Sequence, residues 1–142
     1  MAKVSVTYQK NLQHVAKIRN HSIILDEPKD VGGDDKGPSP YEIMLASLGA
    51  CTSMTMLMYA GRKGWQVDKI DIDLEHTRIH AADCETCETK EGHLDKITRI
   101  IRIKGNLNDE QRNKLLEIAE KCPVHRTLTH ENIIEDKIEL VV

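Results

Sequence analysis

Apolar and polar residues alternate along much of this chain, which is the pattern of β-strands that bury one face. The alternating stretches are residues 3–8, 13–19, 22–26, 65–79, 97–107 and 133–142. Helical spacing replaces the alternation at residues 39–64 and 108–122, and briefly at 124–130. The order of strands, long helix, strands, helix and strand predicts an α+β fold, with helices packed on a mostly antiparallel sheet.

The segment 39–64 has the strongest signals of the chain. Ser39 and Glu42 form a capping box around Pro40, a residue that suits a first helical turn. No charged residue occurs between Ile43 and Tyr59. A helix that is apolar around most of its circumference is normally surrounded by other elements. We therefore expect a buried central helix with Cys51 in its middle turn.

Composition narrows the function classes. A chain of 142 residues fits one domain, 1–142, and its net charge of −3 and scarcity of aromatic residues argue against nucleic-acid binding. The central helix is short and rich in Ser and Thr for a membrane span, and residues 1–6 lack the apolar region of a signal peptide. We expect a cytoplasmic protein without membrane contacts. In a reducing compartment, four cysteines favour catalysis, redox chemistry or metal binding over structural disulfides.

Two cysteines lie on apolar helix faces. Cys51 is in the central helix, and Cys122 ends the apolar face of the segment that Asn108 and Gln111 cap. Both could be small core residues, the usual role of a buried free cysteine. They could instead form a peroxidatic and resolving pair, in which a thiolate becomes a sulfenic acid and the second thiol converts it to a disulfide. The second reading requires the two Cβ atoms to be about 4 Å apart.

Three short motifs carry a family resemblance: residues 37–42 (GPSPYE), 48–52 (LGACT) and 122–125 (CPVH). With them the chain resembles the OsmC/Ohr family of thiol peroxidases over essentially its whole length. The resemblance implies an intertwined homodimer, with antiparallel sheets wrapped around two long central helices. It also implies reduction of small organic hydroperoxides without a cofactor, Cys51 attacking and Cys122 resolving. A lipoyl-type dithiol would be the reductant.

The match departs from the family at the residues that ionise the attacking thiol. The family uses a Glu near the start of the central helix, and Glu42 stands one residue nearer the cysteine than that position, which holds Tyr41. Glu42 is also fully explained as a cap, so both roles stay open. The family's Arg has no motif here, and Arg19 is the only arginine before the helix. These departures suggest a divergent branch with weaker activity or another substrate.

The other two cysteines form a Cys-x-x-Cys, Cys84–Cys87, in a polar segment between predicted strands. With His80 they could bind zinc, because zinc prefers thiolate and imidazole ligands. An exposed loop with two free thiols, or a dithiol that relays electrons to Cys51, would also fit. The alternative function is therefore a non-catalytic or redox-sensing binding protein of the same fold, with zinc at Cys84, Cys87 and His80.

Other charged residues of the chain can be explained structurally. His125 and Arg126 follow Cys122 within one helical turn, where they could lower the pKa of a thiol or lie at a solvated helix end. The acidic pairs Asp26–Glu27 and Asp34–Asp35 lie among Gly and Pro residues, and we expect solvated turns there.

Overall fold

The computed structural model describes residues 1–141 and has the α+β architecture that the alternation predicts. One antiparallel sheet has the strand order β1 (Ser5–Lys10), β2 (Gln13–Ile18), β3 (His21–Leu25), and a second pairs β4 (Gln66–His80) with β5 (His93–Asn106). The helices are α1 (Pro40–Lys63), α2 (Asp109–Ala119) and α3 (Pro123–Thr129). The predicted elements up to residue 130 are present, with ends shifted by a few residues.

The chain divides into two compact units, residues 1–47 and residues 48 onward. The boundary falls inside α1. The expectation of a single domain over 1–142 stays a prediction.

In the first unit, the loop 26–38 is organised around Asp26, and the expectation of a solvated turn is wrong for this residue. Asp26 is 1% exposed and accepts hydrogen bonds from the backbone N–H groups of Glu27, Asp34 and Lys36. Burial alone would raise the pKa of Asp26, but these three donors hold it below its ordinary value. A buried carboxylate replaces the ladder hydrogen bonds that an irregular loop lacks.

In the second unit, α1 and α2 pack on one face of the β4–β5 hairpin. The buried centre consists of Met56, Ala60, Leu115, Ile118 and Ala119. Side chains of the hairpin, including Val67, Ile70, Ile101 and Ile103, pack against it. The approach of helix and sheet is close at Gly49, where an added Cβ would lie 2.6 Å from Leu74 Cδ1. This packing sets the position of the middle of α1 against β5 and α2.

Among residues 1–141, one face of α1 is covered and the other is exposed. Thr52, Met56 and Ala60 are buried, whereas Met54 and Met58 are 61% and 68% exposed. The expectation of a helix surrounded on all sides therefore does not hold for one chain alone. By length and composition α1 could also cross a bilayer, a test that the core helix of a soluble protein passes equally well.

The predicted closing strand is the sequence-based assignment that the structure contradicts. Residues 131–141 form neither helix nor strand, and their apolar side chains are exposed, with Ile134 at 84% and Ile138 at 88%. A strand needs a neighbouring edge to receive its hydrogen bonds, and within residues 1–141 none pairs with this segment. Val142, the last residue of the prediction, lies outside the described residues.

Candidate active site

Cys51 and Cys122 are brought together in the second unit. Cys51 lies half-buried on α1, and Cys122 lies fully buried between α2 and α3. Each free thiol displaces the pKa of the other, so the two sulfurs are neighbours. The sequence-based redox hypothesis requires such neighbouring thiols, and the catalytic roles of Cys51 and Cys122 stay predictions.

The local sequence makes Cys122 the cap of α3. Pro123 occupies the first turn, where its missing N–H is not needed, and the Cys122 sulfur accepts a hydrogen bond from the His125 N–H at 3.5 Å. A helix N-terminus favours a negatively charged sulfur. The Cys-Pro-x-His sequence thus places a thiol where ionisation is stabilised.

The two thiols have pKa values displaced in opposite directions. Burial raises the pKa of Cys51, and its hydrogen bond with Cys122 raises it further. Burial also opposes ionisation of Cys122, but hydrogen bonds from Cys51, the His125 N–H and Thr52 bring the pKa of Cys122 below its ordinary value. When the pair loses its first proton, the negative charge therefore lies on Cys122 and the remaining proton on Cys51.

Arg99 supplies a cation next to this pair. Its Nη1 donates to Thr52 Oγ1 at 2.9 Å and to the Ala119 carbonyl at 3.3 Å, while Nη2 lies 3.1 Å from His125 Nδ1. Since the guanidinium only donates, Nδ1 accepts and the neutral ring carries its proton on Nε2. Burial and then the charge of Arg99 lower the pKa of His125, which keeps this ring neutral.

Thr52 connects Arg99 to Cys122. The Thr52 hydroxyl is fully buried, accepts from Arg99 and donates to the Leu48 carbonyl at 2.7 Å or to the Cys122 sulfur. It has one proton for two acceptors. Arg99 polarises this hydroxyl and so strengthens whichever hydrogen bond it donates.

A pocket of about 240 Å³ opens beside these groups. Its lining is part apolar and part polar: Leu48, Ile97, Leu128, Asp95, Arg99, His125 and Thr129. An organic hydroperoxide has the same division, with a hydrocarbon group and a polar peroxide end. A larger cavity of about 820 Å³ lies beside Tyr59 and Trp65. Neither lining includes Cys51 or Cys122, but Arg99 and His125 connect the smaller pocket to the thiols through Thr52 and the His125 N–H.

Sequence reasoning missed Arg99, although a signal was present. Ile97, Ile101 and Ile103 form the half-buried face of β5, and Arg99 is a charge in phase with them. Arg19, the residue chosen by elimination, is exposed in the β2–β3 turn at φ 53°. Arg126 is exposed as well, as expected for a residue at a solvated helix end.

Glu42 closes the capping box at the start of α1. Its carboxylate accepts from the Ser39 N–H at 2.9 Å, and its own N–H donates to Ser39 Oγ. The hydrogen bond from the Ser39 backbone holds the pKa of Glu42 below its ordinary value. The capping role is thus present, and a catalytic role stays a prediction.

The remaining cysteine pair is oxidised. Cys84 and Cys87 form a disulfide with Cα atoms 5.5 Å apart, at the tip of the β4–β5 hairpin. His80 faces His93 across the strands, with ring centroids 4.5 Å apart. Among residues 1–141 no group of three or more metal-ligating side chains is assembled. The disulfide withholds both thiolates from a zinc site with His80, so zinc binding would require reduction.

Comparison with known proteins identifies the same kind of molecule. The family model described as OsmC-like protein matches residues 33–136. The fold resembles an osmotic stress and detoxification response protein from Psychrobacter arcticus, with 22% identity, a TM-score of 0.72 and coverage of 89% of this chain and 88% of that one. An OsmC-like protein from Mycoplasma pneumoniae has 21% identity, a TM-score of 0.72 and coverage of 90% and 86%.

A third solved structure has a name that bears on chemistry. The organic hydroperoxide resistance protein OsmC from Legionella pneumophila has 18% identity and a TM-score of 0.66, with coverage of 91% of this chain and 89% of that one. The sequence matches none of the curated proteins with which it was compared.

Proposed function

Because the chain belongs to the OsmC-like protein family, we propose that it is a thiol-dependent peroxidase that reduces organic hydroperoxides. The observation that carries the proposal is the contact between the Cys51 and Cys122 thiols, next to Arg99. A solved structure of similar fold is named an organic hydroperoxide resistance protein. The pocket beside Arg99 matches such a substrate, apolar on one side and polar on the other.

The half-buried Cys51 attacks and the buried Cys122 resolves. As Cys51 attacks the distal peroxide oxygen, its proton passes through the sulfur–sulfur hydrogen bond to Cys122 and on to the departing alkoxide, which leaves as the alcohol. Cys51 is then a sulfenic acid and Cys122 is again a thiolate. Attack of Cys122 on the Cys51 sulfur forms the disulfide and expels hydroxide, which solvent protonates to water. A small dithiol, of the lipoyl type, returns both thiols to the reduced state.

Arg99 and His125 assist the oxygen chemistry in this proposal. Negative charge develops on the departing oxygen, and a fixed cation in a water-poor pocket stabilises it. His125 is held neutral, so it adds a second donor at Nε2 without adding charge. The cation that assists the departing oxygen is thus Arg99, on β5 of the second unit.

The test is a thiol count with peptide mapping. One equivalent of cumene hydroperoxide is expected to remove two thiols and to join Cys51 to Cys122. Hydrogen peroxide at the same concentration is expected to react more slowly, because it has no apolar group for the pocket. Unchanged thiols after several equivalents, or a disulfide that excludes Cys51, would overturn the proposal.

A homodimer is part of the proposal. Met54, Leu57 and Met58 form an exposed apolar stripe on α1, and the apolar residues of 133–141 are exposed as well. Such a surface favours a second copy of the chain as its cover. Sedimentation at micromolar concentration should give twice the mass of 16.1 kDa. A monomer there would contradict it.

A catalytic role of Glu42 remains a proposal that one comparison can decide. Glu42→Gln removes the carboxylate and keeps the capping box, because a Gln side chain also accepts from the cap N–H, as Gln111 does in α2. Ser39→Ala keeps the carboxylate and breaks the box, at a cost of about 1 kcal/mol. If Glu42 helps to ionise Cys51, only Glu42→Gln should slow thiol oxidation. Equal rates in the two variants would leave Glu42 as a cap.

The second candidate function is a redox sensor that is oxidised once and is not recycled. The full burial of Cys122 favours it, since a buried sulfur is hard for a reductant to reach. The two functions are distinguished by the hydroperoxide consumed per protein in excess dithiol. A peroxidase consumes many equivalents, whereas a sensor consumes about one. Both functions suit the cytoplasm, where we place the protein.

A further inference from the structure

We propose that Cys84 and Cys87 form a second redox centre, which accepts electrons from a small external dithiol and delivers them to the Cys51–Cys122 disulfide. This inference rests on the proposed function, because it concerns how the oxidised pair is recycled. It assigns a site for the reductant, which the peroxide chemistry leaves open.

The first argument is the kind of disulfide that the loop holds. The bridge joins Cys84 to Cys87, which are only three residues apart in sequence, and short loops gain least from cross-linking. A structural role is therefore weak. In a reducing compartment, disulfides are usually transient and redox-active. The Cys84–Cys87 pair is thus better explained as a redox-active disulfide than as a structural one.

The second argument is accessibility. Cys84 and Cys87 are half-exposed, whereas Cys122 is completely buried. The loop that presents them is closed at its base by the Ala81 N–H to Gly92 carbonyl hydrogen bond at 2.8 Å. Lys90 Nζ donates to the Cys84 and Glu85 carbonyls. A cation held at the loop suits thiolate formation once the bridge opens.

The third argument is location. Both sulfurs line a cavity of about 400 Å³ whose wall includes Asp95 and Ile97. The same two residues line the pocket beside Arg99 and His125. The loop disulfide therefore lies at a cavity that adjoins the pocket of Arg99 and His125, the two residues that connect this pocket to the buried thiols. Asp95 and Arg99 are about 13 Å apart at the usual rise of a strand, so the opened loop must close over this wall for the sulfurs to meet.

The exchange balances as two dithiol–disulfide steps. A thiolate of the external dithiol attacks one sulfur of the Cys84–Cys87 bridge and releases the other as a thiolate. The second external thiol then displaces the remaining bond, leaving an external disulfide and a reduced loop. Next, a loop thiolate attacks the Cys51–Cys122 disulfide, and the other loop thiol resolves the mixed disulfide. Cys51 and Cys122 are left as thiols and the loop is oxidised again.

In the experiment, diamide first oxidises Cys51 and Cys122 to their disulfide. The measurement therefore does not depend on peroxidase activity. Dithiothreitol then reduces it in the wild type and in the double variant Cys84→Ser/Cys87→Ser, with alkylation and mass mapping at each time point. We expect the rate constant for Cys51–Cys122 reduction to fall about tenfold or more in the double variant. Glu85→Gln, which alters the exposed loop and keeps both sulfurs, should behave as the wild type.

Two further measurements distinguish failure of the relay from failure of the proposed function. Oxidation of Cys51 by one equivalent of cumene hydroperoxide should be equally fast in wild type and double variant, so a failed peroxide reaction would count against the proposed function separately. Equal reduction rates in wild type and double variant would overturn the relay. So would a wild-type loop that has become a dithiol under limiting dithiothreitol and stays one while the Cys51–Cys122 disulfide persists.

Discussion

Cys51→Ser is expected to lower kcat/KM for cumene hydroperoxide by about 10³-fold or more, because a serine hydroxyl cannot replace the attacking thiolate. Coupled turnover with excess dithiol measures the effect. Folding should be preserved, since Cys51 is half-buried and the oxygen is smaller than the sulfur. Activity close to that of the wild type would remove Cys51 from the mechanism.

Cys122→Ser is the matched control, with a different expected outcome. The first turnover should still occur, and the Cys51 sulfenic acid should accumulate and react with dimedone. The pH dependence should also move. In the wild type, oxidation is lost as pH falls through the lowered pKa of Cys122, because this thiolate takes the proton of Cys51. In the variant, Cys51 must ionise alone, and burial raises its pKa, so the rate should rise only at higher pH.

Arg99→Gln is expected to slow thiol oxidation by about 10²-fold, the usual cost of losing one preorganised charge at an anionic transition state. It should also destabilise the fold by about 1–3 kcal/mol, because Thr52 and the Ala119 carbonyl lose their donor. Arg99→Lys keeps the charge and one donor, so we expect partial rescue. Stopped-flow oxidation and thermal unfolding measure the two effects.

The control for Arg99 is on the same strand. Arg102 pairs with Asp73 on the exposed face of β5, and a surface ion pair contributes about 0–1 kcal/mol. Arg102→Gln should therefore change neither rate nor stability appreciably. A second measurement separates the effect of charge from that of packing. The charge of Arg99 lowers the pKa of His125, so Arg99→Gln should raise the pKa of His125 in an NMR titration. A slow variant with an unmoved His125 titration would contradict the electrostatic role.

The elements were predictable because each depends on a local pattern. Alternation marks β4 and β5, and the Ser39–Glu42 and Asn108–Gln111 boxes mark the helix starts, both of which form in the structure. The closing strand failed because a strand also needs a partner edge, which no local pattern reveals. Local signals thus gave the elements and not their pairing.

The site was predictable in part for the same reason. Cys51 and Cys122 could be placed on apolar helix faces, but their contact depends on how α1 and α2 pack. Arg99 was overlooked because the family resemblance directed the search to arginines before the helix. Asp26 was overlooked because a buried carboxylate with three backbone donors has the same local sequence as a solvated turn.

The cap of α3 links the redox state to the shape of the pocket. In the reduced protein, the Cys122 sulfur accepts from the His125 N–H in the first turn of α3, and this hydrogen bond strengthens when the sulfur is ionised. Once that sulfur is bonded to Cys51 it is neutral and a poor acceptor, so the turn loses its electrostatic anchor. His125, Leu128 and Thr129 sit on this helix and form part of the pocket wall. If the proposed peroxidase function is correct, we expect the form with the Cys51–Cys122 disulfide to bind ligands more weakly at that wall. The alcohol product would then leave before the next hydroperoxide enters.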